Sequence, residues 1–205
     1  MKALLLIDIQ NDFLPGGALA VAQGDEVVPR ANVLAAQYEL VVATQDWHPA
    51  GHKSFASEHP GRHVGEVVQL DGVAQVLWPD HCIEGTHGAE FAAELDRTRI
   101  DHVIQKGTDR TIDSYSGFFD NARRKSTGLE AYLRSRGVNE IHLAGLATDY
   151  CVKFTALDGV ELGFSVTLLS EAVRGVELAA GDCERAIAEM RSASVVISEK
   201  ENHKH

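Results

Sequence analysis

The chain has 205 residues, enough for one sizeable core and few for two, and its 44% hydrophobic and 24% charged residues exclude a disordered or fibrous class. A formal net charge of −11 argues against DNA, RNA or an anionic membrane as partner and favours a small neutral substrate. Three cysteines are too few and odd in number for a disulfide framework, and the N-terminal apolar run of five residues, ended by Asp8, is too short for a leader or a spanning helix, so a cytoplasmic protein is expected.

In chain order, an apolar run at 2–7 reads as a strand and Asp25 as the cap of a helix reaching about Gln37, with Val27, Val28, Ala31 and Leu34 on one side. A strand at 40–44 follows, then an irregular stretch, 45–92, rich in His, Pro, Gly and Trp. Long irregular stretches of this kind are usually functional. Beyond it come a strand at 102–105, a helix opened by a capping box at Thr127–Glu130 and closed by Gly137, and a strand at 140–144. A helix over 150–162, a strand at 165–169, a helix over 182–191 capped by Asp182 and a strand at 194–197 complete the alternation. The closing ENHKH has no pattern and is expected to fray.

The strand runs are apolar without clean alternation, as in strands buried on both faces. With helices between them they imply an α/β fold, a three-layer α/β/α sandwich with a mainly parallel sheet and right-handed crossovers, in a single domain over 1–205.

Ligands of such sheets gather at the carboxyl ends of the strands. The residues there are Asp8, then Asp46 and His48, then Lys106, then Gly145–Cys151. Taken singly, each has an ordinary explanation. Asp8 can accept from turn amides, Lys106 can be a solvated strand end, and Asp46-x-His48 can be a surface turn near Pro49.

In extended backbone, however, Asp46 and His48 leave the same face, a pairing that suits zinc, iron or manganese. Seven of the ten histidines fall between 48 and 102, which favours a metal there, with His81, His52, His59, His63 and His87 all open as further ligands. Cys151 opens a helix, where the dipole or a nearby Lys would favour a thiolate, while a carboxylate could instead take the proton. Cys183 is its rival, although the acid beside it opposes ionisation, and Cys82 reads as a packed small residue.

The stretches LLLIDIQNDFLPGGALAV, TQDWHPAGHKSF, LWPDHCIEGTHGAEF, QKGTDRTIDSYSGFFDN and GLATDYCVKFTALD, in this order, resemble the nicotinamidase (pyrazinamidase) branch of the isochorismatase-like cysteine hydrolases, over about residues 3–197. The resemblance implies a metal-dependent amidohydrolase that converts nicotinamide to nicotinate and ammonia in NAD salvage, through a cysteine thioester. It assigns Asp8 as general base, Lys106 as catalytic lysine and Cys151 as nucleophile. It makes Asp46, His48 and His81 the ligands of one divalent ion, zinc first, with iron or manganese as alternatives.

His52 stands where some members add a fourth ligand, after a longer spacer than HPAGH, and is left open. Phe13, Trp78 and Tyr115 would line the pocket around the pyridine ring. A non-proline cis peptide would join Leu146 to Ala147, beside an oxyanion site formed by the amides of Ala147 and Cys151. The expected partner is nicotinamide, and a homo-oligomer is left open. Competing readings are an amidase for another small carboxamide, a vinyl-ether hydrolase that does without the cysteine, and a catalytically silent metal- or partner-binding protein.

Overall fold

β1, Lys2–Ile7, runs through the centre of the sheet because its side chains are apolar in both directions. Ala3, Leu5 and Ile7 enter one core, while Leu4 and Leu6 enter the other. The structure, a computed structural model, describes residues 1–198; the ENHKH stretch lies outside them.

The remaining elements are α1 (Val27–Ala35), β2 (Val41–Asp46), β3 (Val67–Leu70), β4 (Val73–Val76), β5 (His102–Lys106), α2 (Leu129–Ser135), β6 (Glu140–Leu146), α3 (Lys153–Glu161), β7 (Ser165–Arg174), α4 (Asp182–Ser192) and β8 (Val196–Ile197). Six strands form one parallel sheet in the order β5-β2-β1-β6-β7-β8. Leu129 and Leu133 of α2, Ala156 of α3 and Met190 of α4 pack on the Leu5 face; Val27, Val28, Ala31 and Ala35 of α1 pack on the Leu4 face. The three-layer α/β/α sandwich expected from the alternation is the observed architecture.

The chain leaves β1 toward β2 on one side and β6 lies on the other, so the order reverses between β1 and β6. That switch point opens a crevice at the strand ends. The two strands meet closely there. Gly145 of β6 has φ +124°, and a Cβ on it would stand 2.1 Å from the carbonyl oxygen of Ile7, so no other residue fits.

Four local expectations change. Asp25 does not cap α1: it lies in the turn Gly24–Glu26, and the cap position is Glu26, with no side-chain cap bond. The irregular stretch contains an antiparallel hairpin, β3–β4, turned at Asp71-Gly72 with both residues at positive φ. The expected capping box is half made: the Thr127 hydroxyl accepts from Leu129 N at 3.2 Å, but the Glu130 carboxylate faces Arg134 at 3.6 Å. Asp182 does not cap α4 from outside; it is the first helical residue, and its carboxylate braces the preceding turn through Ala179 N at 2.8 Å.

Gly145→Ala is expected to destabilise the protein by roughly 1–3 kcal/mol or more, as overpacking does. A denaturant melt checks this, and a wild-type midpoint would contradict the close β1–β6 approach.

Candidate active site

Parallel pairing brings the ends of β1, β2, β5 and β6 together, and with them four ionisable side chains. Lys106 closes β5 opposite Asp46 of β2. Its ammonium is fully buried and donates to Asp46 Oδ1 at 2.5 Å, Ser114 O at 2.9 Å and Cys151 Sγ at 3.4 Å. These contacts use its three N–H bonds. Asp8 Oδ2 lies 2.9 Å from the same nitrogen and forms a buried ion pair with it. Its other oxygen accepts from the Thr44 hydroxyl at 2.6 Å.

Burial raises the pKa of Asp8 to about 6 against the pull of Lys106. Burial works against the Lys106 ammonium too, but Asp46 and Asp8 outweigh it and hold the proton firmly. Burial also pushes the Cys151 thiol well above its usual range, with Lys106 opposing and Asp8 adding. This shift runs against the first of the two routes the sequence left open for this cysteine, a thiolate favoured at a helix start. Burial thus favours the thiol form of Cys151, with the Asp8 carboxylate close to it.

Cys151 lies in a π-helical turn, Thr148–Val152, which leads into α3 and is closed by Val152 N on Ala147 O at 3.1 Å. The wide turn follows β6 directly and aims the thiol back over the sheet. The Leu146–Ala147 peptide before it is cis. Asp149 of the turn accepts from Val176 N at 2.9 Å and Glu177 N at 2.8 Å, tying the loop after β7 against the site. Cys183, beside Asp149 and Glu177, has its thiol pushed up to about 12 by burial and these carboxylates, and Cys82 is sealed in the α1-side core.

Next to this group, one atom each from Asp46, His48 and His81 lies within 4.8 Å of the others. His48 Nε2 stands 3.6 Å, and His81 Nε2 3.8 Å, from Asp46 Oδ2. Each imidazole is set by a backbone carbonyl on its other nitrogen: Gly107 O at 2.8 Å for His48 and Pro79 O at 2.7 Å for His81. Such partners fix the tautomer that metal ligands need.

His48 Nε2 is buried with no hydrogen-bond partner. Burial disfavours a charged His48, yet Asp46 and Asp113 outweigh it and raise its pKa to about 9; burial and the neighbouring His48 push His81 down to about 4. Two ring nitrogens and a carboxylate oxygen converge on a place that demands positive charge, and the donor set fits a divalent ion.

His52 does not join the trio. It packs on the His48 ring at 4.5 Å, but its Nδ1 meets Ser54 Oγ at 2.7 Å and its Nε2 the Ile112 carbonyl at 3.3 Å. His59, His63 and His87 are likewise outside the group.

Between the thiol and the trio lies a small pocket lined by Phe13, Trp78, Tyr115, Tyr150, Ala147 and Cys151 together with Asp46, His81 and Asp113. Phe13 packs on His81 at 5.6 Å and Trp78 stands edge-on to Tyr150 at 4.8 Å. The Tyr115 hydroxyl accepts from Trp78 Nε1 at 3.2 Å and from Gln75 of β4 at 2.9 Å, so the hairpin braces the pocket wall. Flat aromatic walls with a few polar groups at one end suit a small heteroaromatic ring.

Sequence reasoning missed Tyr150, Asp113 and Gln75. Tyr150 is adjacent to the nucleophile candidate and Asp113 lies in DSYSG, so neighbourhood alone could have raised them. For Gln75 the Asp-Gly hairpin turn is the only available signal.

The isochorismatase domain family matches residues 2–201, and the chain belongs to that family. Within it, the similarity is to nicotinamidases. A nicotinamidase from Escherichia coli (strain K12) is 46% identical over 200 residues, covering 96% of this chain and 93% of the relative. Among solved structures, an Acinetobacter baumanii nicotinamidase and pyrazinamidase superposes with a TM-score of 0.94 at 45% identity, covering 97% of this chain and 95% of the other. PnC1 from L. infantum in complex with nicotinate gives 0.84 at 37%, with 97% and 92% covered. Pyrazinamidase of Pyrococcus horikoshii in complex with zinc gives 0.79 at 38%, with 97% and 99% covered.

Gly107, at φ +65°, holds His48 by its carbonyl, and a Cβ there would stand 2.4 Å from His48 Cε1. Gly107→Ala is therefore expected to weaken any divalent-metal binding at the trio by about 10–100-fold, the usual effect of disturbing a ligand's support. Metal content after dialysis checks it, and wild-type retention would contradict the seat described for His48.

Proposed function

We propose that the chain is a nicotinamidase, which hydrolyses nicotinamide to nicotinate and ammonia. The observation that carries this reading is the buried Asp8–Lys106–Cys151 group facing an aromatic cavity, in a chain similar over nearly its whole length to nicotinamidases. Residues 1–205 as one hydrolase domain, in the cytoplasm, belong to the same proposal. Among the described residues no helix is long and apolar enough to cross a membrane.

In this reading the pyridine ring lies between Phe13, Trp78 and Tyr115, with its carboxamide at Cys151. Asp8 Oδ2 accepts the thiol proton, and the sulfur adds to the amide carbon. Lys106 lies against both anions of that step and offsets their charge without moving. The oxyanion is received by the backbone amides of Ala147 and Cys151, contacts worth about 3–4 kcal/mol where measured.

Asp8 then returns its proton to the leaving nitrogen, ammonia departs and a thioester remains. Asp8 next takes a proton from water, which attacks the thioester carbon; nicotinate leaves, and the proton passes back to the sulfur. A divalent ion held by Asp46, His48 and His81, with zinc the first choice, would supply a Lewis-acid anchor for the ring nitrogen.

The aromatic walls favour this substrate over aliphatic amides, and pyrazinamide, with the same shape, is expected to react as well. The vinyl-ether reading gives the thiol no task, and the silent-protein reading gives the Asp8–Cys151 pairing none.

Metal-replete protein is expected to release ammonia from nicotinamide. Cys151→Ala and Asp8→Asn should each lower turnover by on the order of 10⁴-fold, with Cys183→Ser near wild type. Activity surviving in Cys151→Ala, or lost in a folded Cys183→Ser, would contradict the assignment. Asp8 must be unprotonated to act, and its pKa is about 6, so kcat/KM should fall as pH drops through about 6. A profile flat down to pH 4.5 would remove Asp8 as base.

A further inference from the structure

The charges around the trio do not balance. Asp8, Asp46 and Asp113 are all at least 95% buried; the Lys106 ammonium faces Asp8 and Asp46, while Asp113 faces only the His48 ring, at 4.0 Å. Among the described residues no Arg and no other Lys lies within ion-pair distance of any of the three. Three carboxylates face one ammonium and the His48 and His81 rings, and even a charged His48 leaves the cluster net negative, which an apolar surround does not tolerate uncompensated.

Asp8 and Asp46 are accounted for by base chemistry and ligation. Asp113 is not. It lines the cavity beside Asp46 and His81, and its Oδ1 lies 4.0 Å from the unpartnered His48 Nε2. It groups with His48 and His52 rather than with Asp46 and His81, which sets it outside the ligand trio.

From this we infer that Asp113 is the second carboxylate of the divalent-ion site, a positioning residue that neutralises the ion's remaining charge from outside its ligand set. The inference rests on the metal reading above. With it the count closes: Lys106 balances Asp8, and a doubly charged ion balances Asp46 and Asp113, with both imidazoles neutral. Lys106 nonetheless touches Asp46 as well as Asp8, so the balance belongs to the whole cluster and is not divided into isolated pairs.

A merely structural role for Asp113 makes a different statement. Its Oδ1 accepts from Ser114 N at 2.7 Å, a local turn bond that an Asn oxygen would make equally well. Charge and shape can therefore be separated. Asp113→Asn keeps the acceptor and the volume and removes only the charge, whereas Asp113→Ala removes both.

The test is the affinity of the metal-free full-length protein for zinc, measured by competition with a chromophoric chelator, on wild type and both variants, with a thermal melt of each metal-free protein. The inference predicts that Asp113→Asn weakens zinc binding about 10–100-fold, the range for outer partners of metal ligands, and nearly as much as Asp113→Ala, while its metal-free melting temperature does not fall. Asp113→Asn binding zinc as wild type does, with only Asp113→Ala impaired, would overturn it and leave Asp113 a turn-forming residue. Wild type failing to take up one zinc per chain would overturn the metal reading itself, and this inference with it.

Discussion

The site depends on one buried ammonium. Lys106 is held by Asp46 on one side and lies against Asp8 and Cys151 on the other, so the same nitrogen joins the Cys151 side of the site to the Asp46–His48–His81 trio. Breaking a buried pair by removing one partner costs roughly 3–5 kcal/mol in other proteins, because a charge is left stranded. Here two carboxylates would be stranded at once. Lys106 therefore makes the carboxylate cluster tolerable, and in the proposed mechanism the Asp8 carboxylate beside it takes the thiol proton.

The fold supplies this arrangement by simple means. Parallel strands end on the same edge, and the order reverses between β1 and β6, so Asp8 and the Cys151 turn arrive on either side of a crevice while β2 and β5 bring Asp46 and Lys106 beside it. The π-helical turn displaces the nucleophile from the start of a regular helix. Burial outweighs whatever a helix start would do for the thiolate, and the proposed mechanism therefore gives the cysteine a base.

Much of this was legible in the sequence because the relevant signals are short in range. Apolar runs located all six strands of the parallel sheet, most plainly β1, β2 and β6, which are covered on both faces and apolar on both, and less so the edge strands β5 and β8, which alternate with exposed residues. Reactive residues stood out at their carboxyl ends for the same reason, because nothing in a buried sheet otherwise calls for Asp, Lys and Cys there. The residue-level reading of the metal site stopped at Asp46 and His48. His81 reaches them through a long irregular segment whose path periodicity does not describe, and the five-motif resemblance was needed to select it.

What the sequence did not show depends on contacts across the chain. The β3–β4 hairpin has weak alternation, and its tie to the pocket runs through Gln75 and Tyr115, forty positions apart. Tyr150 and Asp113 acquire meaning only once the cavity exists. The direction of the Cys151 shift could not be read either, since the helix start and the burial push it in opposite senses.

The central claim is that Asp8 delivers Cys151 as a nucleophile to an amide carbon. Its most direct test is intact-mass spectrometry of enzyme quenched during turnover of nicotinamide, followed by peptide mapping. A nicotinoyl group on Cys151, formed by wild type and missing in Asp8→Asn, is the predicted result. Full turnover with no acyl group on Cys151 under rapid acid quench, together with activity that persists once Cys151 is replaced, would contradict it.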